Sequence, residues 1–137
     1  MKVLIDTNII MDVLANREGF AEPASQLFKL CEVGQVQGFV YALSIANIAY
    51  IMRKELDRSQ IEEVIGKLGA IFTIADMKAV DLKKAAIQSI DDYEDALQSV
   101  CASRIKADFI ITRNLKDFKN SKVMAIKPSE LIERMSE

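Results

Sequence analysis

The stretch MKVLIDTNII, residues 1–10, decides how the rest of the chain is read. Val3, Leu4 and Ile5 form a continuous apolar run. That pattern predicts a short buried strand over residues 2–6, of the kind found in a parallel sheet covered on both faces. The run stops on a carboxylate, Asp6, followed by Thr7 and Asn8. An apolar helical set lies beyond: Ile9, Ile10, Val13 and Leu14. Asp6 therefore falls where the first strand gives way to the first helix. In open α/β sheets, ligands bind outside the carboxyl ends of strands, so a carboxylate there faces a crevice. Asp, Thr and Asn are equally good helix N-caps. On this stretch alone, capping and chemistry explain Asp6 equally well.

Working outward, short apolar segments alternate with helical periodicity. Helices are expected over residues 8–16 and 22–33, the second closed by Gly34, and a strand over 39–42. Ser44 is the expected cap of a helix reaching residue 56. Ser59 is the expected cap of a helix over 60–68 that Gly69 ends. A strand follows at 72–75, then a helix capped by Asp76 and running to residue 88. The acidic run at 91–95 opens another helix, whose inward face is Ala96, Leu97, Val100, Cys101 and Ile105. Strands are expected at 108–112 and 123–126, with a polar turn over 113–118 between them. A last helix covers 129–135, with Pro128 near its N1 position. Strands alternating with helices imply a single α/β domain over residues 1–137, a sandwich with a mostly parallel sheet.

Composition bounds the chemistry. The chain has 137 residues, half of them apolar and 28% charged, which is ordinary globular composition. No apolar run approaches the ~20 residues of a membrane span, and the N-terminus does not read as a signal peptide. A cytoplasmic protein without a membrane partner is expected. Cys31 and Cys101 sit among apolar neighbours and read as buried, reduced thiols. There is no histidine, which removes Ser-His and Cys-His mechanisms and His-ligated zinc. There is no GxGxxG or P-loop signature either. The net charge is −2, yet residues 104–127 carry seven basic side chains against two acidic ones. Such a stripe suits phosphates or a merely solvated surface.

Polar groups collect at three strand ends or helix starts: Asp6 to Asn8, Asp92 with Asp95, and Thr112 to Asp117. Asp92 and Asp95 also fit a plain capping role. The run ADFIITRNLKDF (residues 107–118) is a strand entering a polar turn, which capping does not explain. Convergent carboxylates repel unless a cation neutralises them or one takes a proton. Oxygen donors alone point to Mg²⁺ or Mn²⁺, a usual device for phosphodiester hydrolysis.

These residues resemble the PIN domain nucleases. The likeness rests on Leu4-Ile5-Asp6-Thr7-Asn8, on Asp92-Tyr93-Glu94-Asp95-Ala96-Leu97 and on Thr112 to Phe118 (TRNLKDF), in that order over nearly the whole chain. The size is similar to that of VapC-like toxins. The resemblance implies a three-layer α/β/α fold and a Mg²⁺- or Mn²⁺-dependent endoribonuclease. It implies Asp6, Asp95 and Asp117 as metal ligands, with Asp92 as an accessory acid. Asn8, Thr112 and Asn114 would orient carboxylates or waters. Arg104, Arg113, Lys116 and Lys119 would dock the RNA backbone. It also implies a homodimer and a small antitoxin partner. One position departs from the pattern. The family places a glutamate early in the helix after the second strand, and aligning residues 43–48 puts Asn47 there. Either Asp92 compensates, or the chain is a weak or inactive PIN fold that only binds RNA or a protein. An unrelated phosphotransfer domain using Asp6 fits less well. Position 8 is Asn rather than a second acid, and no lysine directly follows a strand.

Overall fold

A computed structural model describes residues 1–136. Its strands are β1 (Lys2–Ile5), β2 (Gln37–Tyr41), β3 (Thr73–Ala75), β4 (Phe109–Ile111) and β5 (Ala125–Ile126). Its helices are α1 (Thr7–Leu14), α2 (Ala21–Glu32), α3 (Ala42–Met52), α4 (Arg58–Ile71), α5 (Ala79–Ala86), α6 (Tyr93–Arg104) and α7 (Pro128–Met135). A 3-10 turn, Leu115–Phe118, follows β4. The sheet is wholly parallel, in the order β3-β2-β1-β4-β5.

β1 occupies the centre because its apolar run serves both faces. Val3 and Ile5 join one core, with Ile9, Leu27, Ile48 and Leu131 from α1, α2, α3 and α7. Leu4 joins the other, with Ala85 of α5 and Ala96, Leu97 and Cys101 of α6. These two cores make the three layers. Close packing sets one residue choice in β2. A Cβ on Gly38 would lie 2.7 Å from Cys31 Sγ and 2.8 Å from a Phe72 ring carbon, so only glycine lets the layer close there. Cys31 and Cys101 are buried and unpaired.

Several helix boundaries differ from expectation, each for a visible reason. α3 starts at Ala42, and Ser44 lies inside its first turn, buried and bonded to other elements rather than capping. Asp57, not Ser59, caps α4. Asp57 accepts the Gln60 N–H while the Gln60 side chain accepts the Asp57 N–H, both at 2.9 Å, a reciprocal capping box. α4 then runs through Gly69 to Ile71, anchored by Leu68 in the core. α5 begins at Ala79, and Asp76 pairs with Arg104 instead of capping it.

The sheet order fixes where a site can form. From β1 the chain steps to β2 and β3 on one side; β4 and β5, made later, occupy the other. The order reverses between β1 and β4, and a crevice opens at their carboxyl ends.

Candidate functional site

Asp6 stands one residue beyond β1 and Thr112 one beyond β4, and the Ile5–Ile111 register makes them neighbours across that crevice. Both are buried. The Thr112 hydroxyl donates to Asp6 Oδ2 at 2.9 Å and accepts the Asn114 N–H at 3.1 Å. Asp6 holds the N-cap position of α1, but its carboxylate makes no capping bond. Its side-chain partner is Thr112.

α6 starts over the same crevice. Asp92 caps it, Oδ1 accepting the Asp95 N–H at 3.0 Å. Glu94 and Asp95 stand in the first turn, and the 3-10 turn after β4 brings Asp117. Asp6, Asp92, Glu94, Asp95 and Asp117 together line a cleft of about 450 Å³, with Asn8, Asn47, Tyr50, Gln98 and Asn114 among its other walls. An adjoining cavity of about 640 Å³ shares Asp92, Asp95 and Asp117, and Lys116 and Lys119 line it.

Crowded carboxylates shift one another. Burial first, then the charges of Asp92, Asp6, Asp117 and Glu94, push Asp95 up to about 7. Burial also raises Asp6, against the opposing pull of the Thr112 hydroxyl, the Thr7 amide and Arg113. Below the acids lies a polar floor. Thr7 Oγ1 donates to Ser44 Oγ at 2.7 Å, and Gln98 Nε2 donates to the same oxygen at 2.6 Å. This ties α1, α3 and α6 together under the cleft. Gln98 Oε1 is buried with no hydrogen-bond partner among the described residues. At the rim, Asn47 Nδ2 donates to Glu94 Oε2 at 3.3 Å.

The sequence pattern of the PIN domain matches residues 2–116. The chain belongs to the PIN domain family. No curated protein matches it in sequence. Solved structures share the fold at low identity. VapBC2 from Rickettsia felis, bound to a DNA fragment from its promoter, is 17% identical with a TM-score of 0.70, covering 93% of this chain and 98% of that one. VapBC-1 from nontypeable Haemophilus influenzae is 16% identical with a TM-score of 0.71, covering 94% and 99%. A toxin–antitoxin complex from Klebsiella pneumoniae is 21% identical with a TM-score of 0.70, covering 92% and 97%. The three-layer architecture inferred from the sequence is the one found.

In this PIN domain Asp6, Asp92, Asp95, Asp117, Asn8, Asn47 and Asn114 share one cleft, with Thr112 behind Asp6. Lys116 and Lys119 stand beside it. Arg104 does not, and Arg113, near enough for its charge to act on Asp6, is turned to another acid. Arg104, at the far end of α6, is held by Asp81 through Nε at 3.0 Å and Nη2 at 2.9 Å, and by Asp76. Arg113 clamps the buried Asp12 with two bonds, 2.9 and 3.1 Å, and lies over the Phe20 ring at 4.0 Å. Both serve the fold. The sequence reading missed Glu94 and Gln98. Gln98 carried a signal, a polar residue on the inward face of α6 one turn below Asp95.

The donor set fits a hard divalent cation. Its charged groups are all carboxylates, and Gln98 adds a buried carbonyl oxygen lacking a donor. Among the described residues no three acidic side chains form a ready-made metal cage. Mg²⁺-type ions need none, because they keep several waters, and carboxylates around a cleft can hold the ion through those waters as well as directly.

Proposed function

We propose that this PIN domain is a divalent-metal-dependent endoribonuclease acting as the toxin of a toxin–antitoxin pair. One observation carries the reading. Asp6, Asp95 and Asp117, from three distant parts of the chain, meet in one cleft where Asp95 is pushed up to about 7. PIN domains are in general nucleases, and the similar structures are toxin–antitoxin complexes, which supports an antitoxin partner; a homodimer is part of the same proposal.

Asp6, Asp95 and Asp117 would hold Mg²⁺ or Mn²⁺. Such an ion, when bound, supplies Lewis-acid polarisation of a phosphodiester and a water of lowered pKa. The chain's own groups do the rest. Thr112, itself held by the Asn114 N–H, aims Asp6. Asn8 and the Asn114 side chain position waters or a phosphate oxygen from the cleft wall. Asp92 caps α6 through Oδ1 only, and its second oxygen accepts a proton from the attacking water. Lys116 and Lys119 dock the RNA backbone without reading sequence. The exposed Tyr50 ring has the Arg53 guanidinium over one face at 3.6 Å and would stack a base on the other.

Cleavage of a mixed RNA pool with and without Mn²⁺ or Mg²⁺, wild type beside Asp6→Asn, tests this. Metal-dependent cutting that the variant loses is expected. Asn47, a neutral side chain among the cleft's carboxylates, favours a second reading, a binding module that keeps the fold without turnover. That reading takes over if neither protein cuts while both fold and wild type binds metal.

A further inference from the structure

Position 47 is where a glutamate would bring a carboxylate from α3. Asn47 stands there, and its Nδ2 is bonded to Glu94 Oε2 at 3.3 Å. Both side chains line the cleft that holds Asp6, Asp95 and Asp117. Glu94 is therefore a carboxylate at the same site, delivered from the first turn of α6. Carboxylates that hold a metal are themselves fixed by hydrogen bonds. Asn47 gives Glu94 such a bond, where a glutamate at 47 would repel it. A second observation points independently to a ligand. Gln98 is only 3% exposed and its Nε2 is pinned to Ser44, yet its Oε1 is unpaired among the described residues. Buried carbonyls are nearly always satisfied. Gln98 is itself a lining residue of the cleft, so a cation or one of its waters is the group that would satisfy this oxygen.

We infer that Glu94, oriented by Asn47, is the fourth carboxylate of a divalent-cation site, with Gln98 Oε1 as a neutral oxygen donor. The charge missing at position 47 has moved from α3 to α6, so Asn47 is part of a working site. The inference rests on reading the cleft as a cation site, and its test separates the two. Mn²⁺ binding is measured by calorimetry on the full chain as wild type, Asp6→Asn, Glu94→Gln, Asp91→Asn and the double variant Asn47→Glu/Glu94→Gln. Wild type binds and Asp6→Asn loses binding. Glu94→Gln weakens binding about tenfold, without lowering the metal-free Tm. Asp91→Asn, an exposed neighbouring charge, changes it by less than about twofold once salt screens it. The double variant returns the carboxylate to α3 and recovers most of the loss. Glu94→Gln binding like wild type while Asp6→Asn has lost binding overturns the inference and leaves the cation site standing. Equal losses in Glu94→Gln and Asp91→Asn also overturn it. Wild type that binds no Mn²⁺, or Asp6→Asn that binds like wild type, overturns both readings.

Discussion

Asp95 concentrates the tension of the cleft in one side chain. Its carboxyl is raised from 3.8 to about 7 by burial and by Asp92, Asp6, Asp117 and Glu94. An acid whose folded pKa lies above its unfolded value costs stability as pH rises between the two. Below about pH 4 both states are protonated and the effect vanishes; above about 7 the cost is complete. In EDTA, thermal melts should therefore show Tm falling from pH 5 to pH 8. Asp95→Asn should flatten part of that fall and exceed wild type at pH 8. For a partly exposed carboxylate the gain is about 1 kcal/mol, or roughly 3 °C. The same variant should lose Mn²⁺ binding. A residue that makes the metal-free protein less stable while serving the ligand is the usual pattern at functional sites. Thr112 shows the converse, a buried hydroxyl that steadies Asp6 and the turn after β4 together.

At the scale of elements, charge is legible in sequence but its partner is not. Arg113 sits in a basic stripe that reads as a phosphate surface, yet it grips Asp12 of α1, whose side chain is 1% exposed, and Arg17 helps at 3.2 Å. The clamp fastens the loop after β4 to the first helix. Arg113→Met should cost about 2 kcal/mol, short of the full penalty for an orphaned buried charge because Arg17 remains. Urea melts would show this, and RNA affinity should change little beyond the loss of folded protein. β1, α6 and β4 were readable because their apolar runs end abruptly on Asp6, begin abruptly after Asp92 and end abruptly at Thr112. Ser44 was misread because its partners, Thr7 and Gln98, lie 37 and 54 residues away. No local pattern carries that information. Asp57 and Ser59 are both plausible caps in sequence, and only the reciprocal bonds with Gln60 choose between them. Nor could the sequence give Asp6 its partner: the carboxylate lies on Thr112, 106 residues away, and makes no capping bond.

For the whole molecule, the proposed ribonuclease is an acidic protein with a net charge of −2 that would have to admit a polyanion to an acidic cleft. Lys116 and Lys119 flank that cleft on the 3-10 turn and just after it. Lys116→Ala/Lys119→Ala should raise KM with kcat nearly unchanged. It should also lower the salt dependence of RNA binding by about two counterions. Retention of both binding and its salt slope in that variant would place the RNA path elsewhere. The strand order has a temporal side as well. β1 is synthesised first, yet one of its two neighbours arrives more than a hundred residues later, Leu4 pairing with Ile110. Pairings of that span are slow to close and form late. Asp6 is therefore made long before Thr112, the side chain that holds it. The cleft has no existence on a nascent chain until Asp117 has emerged. A chain with the activity proposed here has no assembled site until everything from Asp6 to Asp117 has been made.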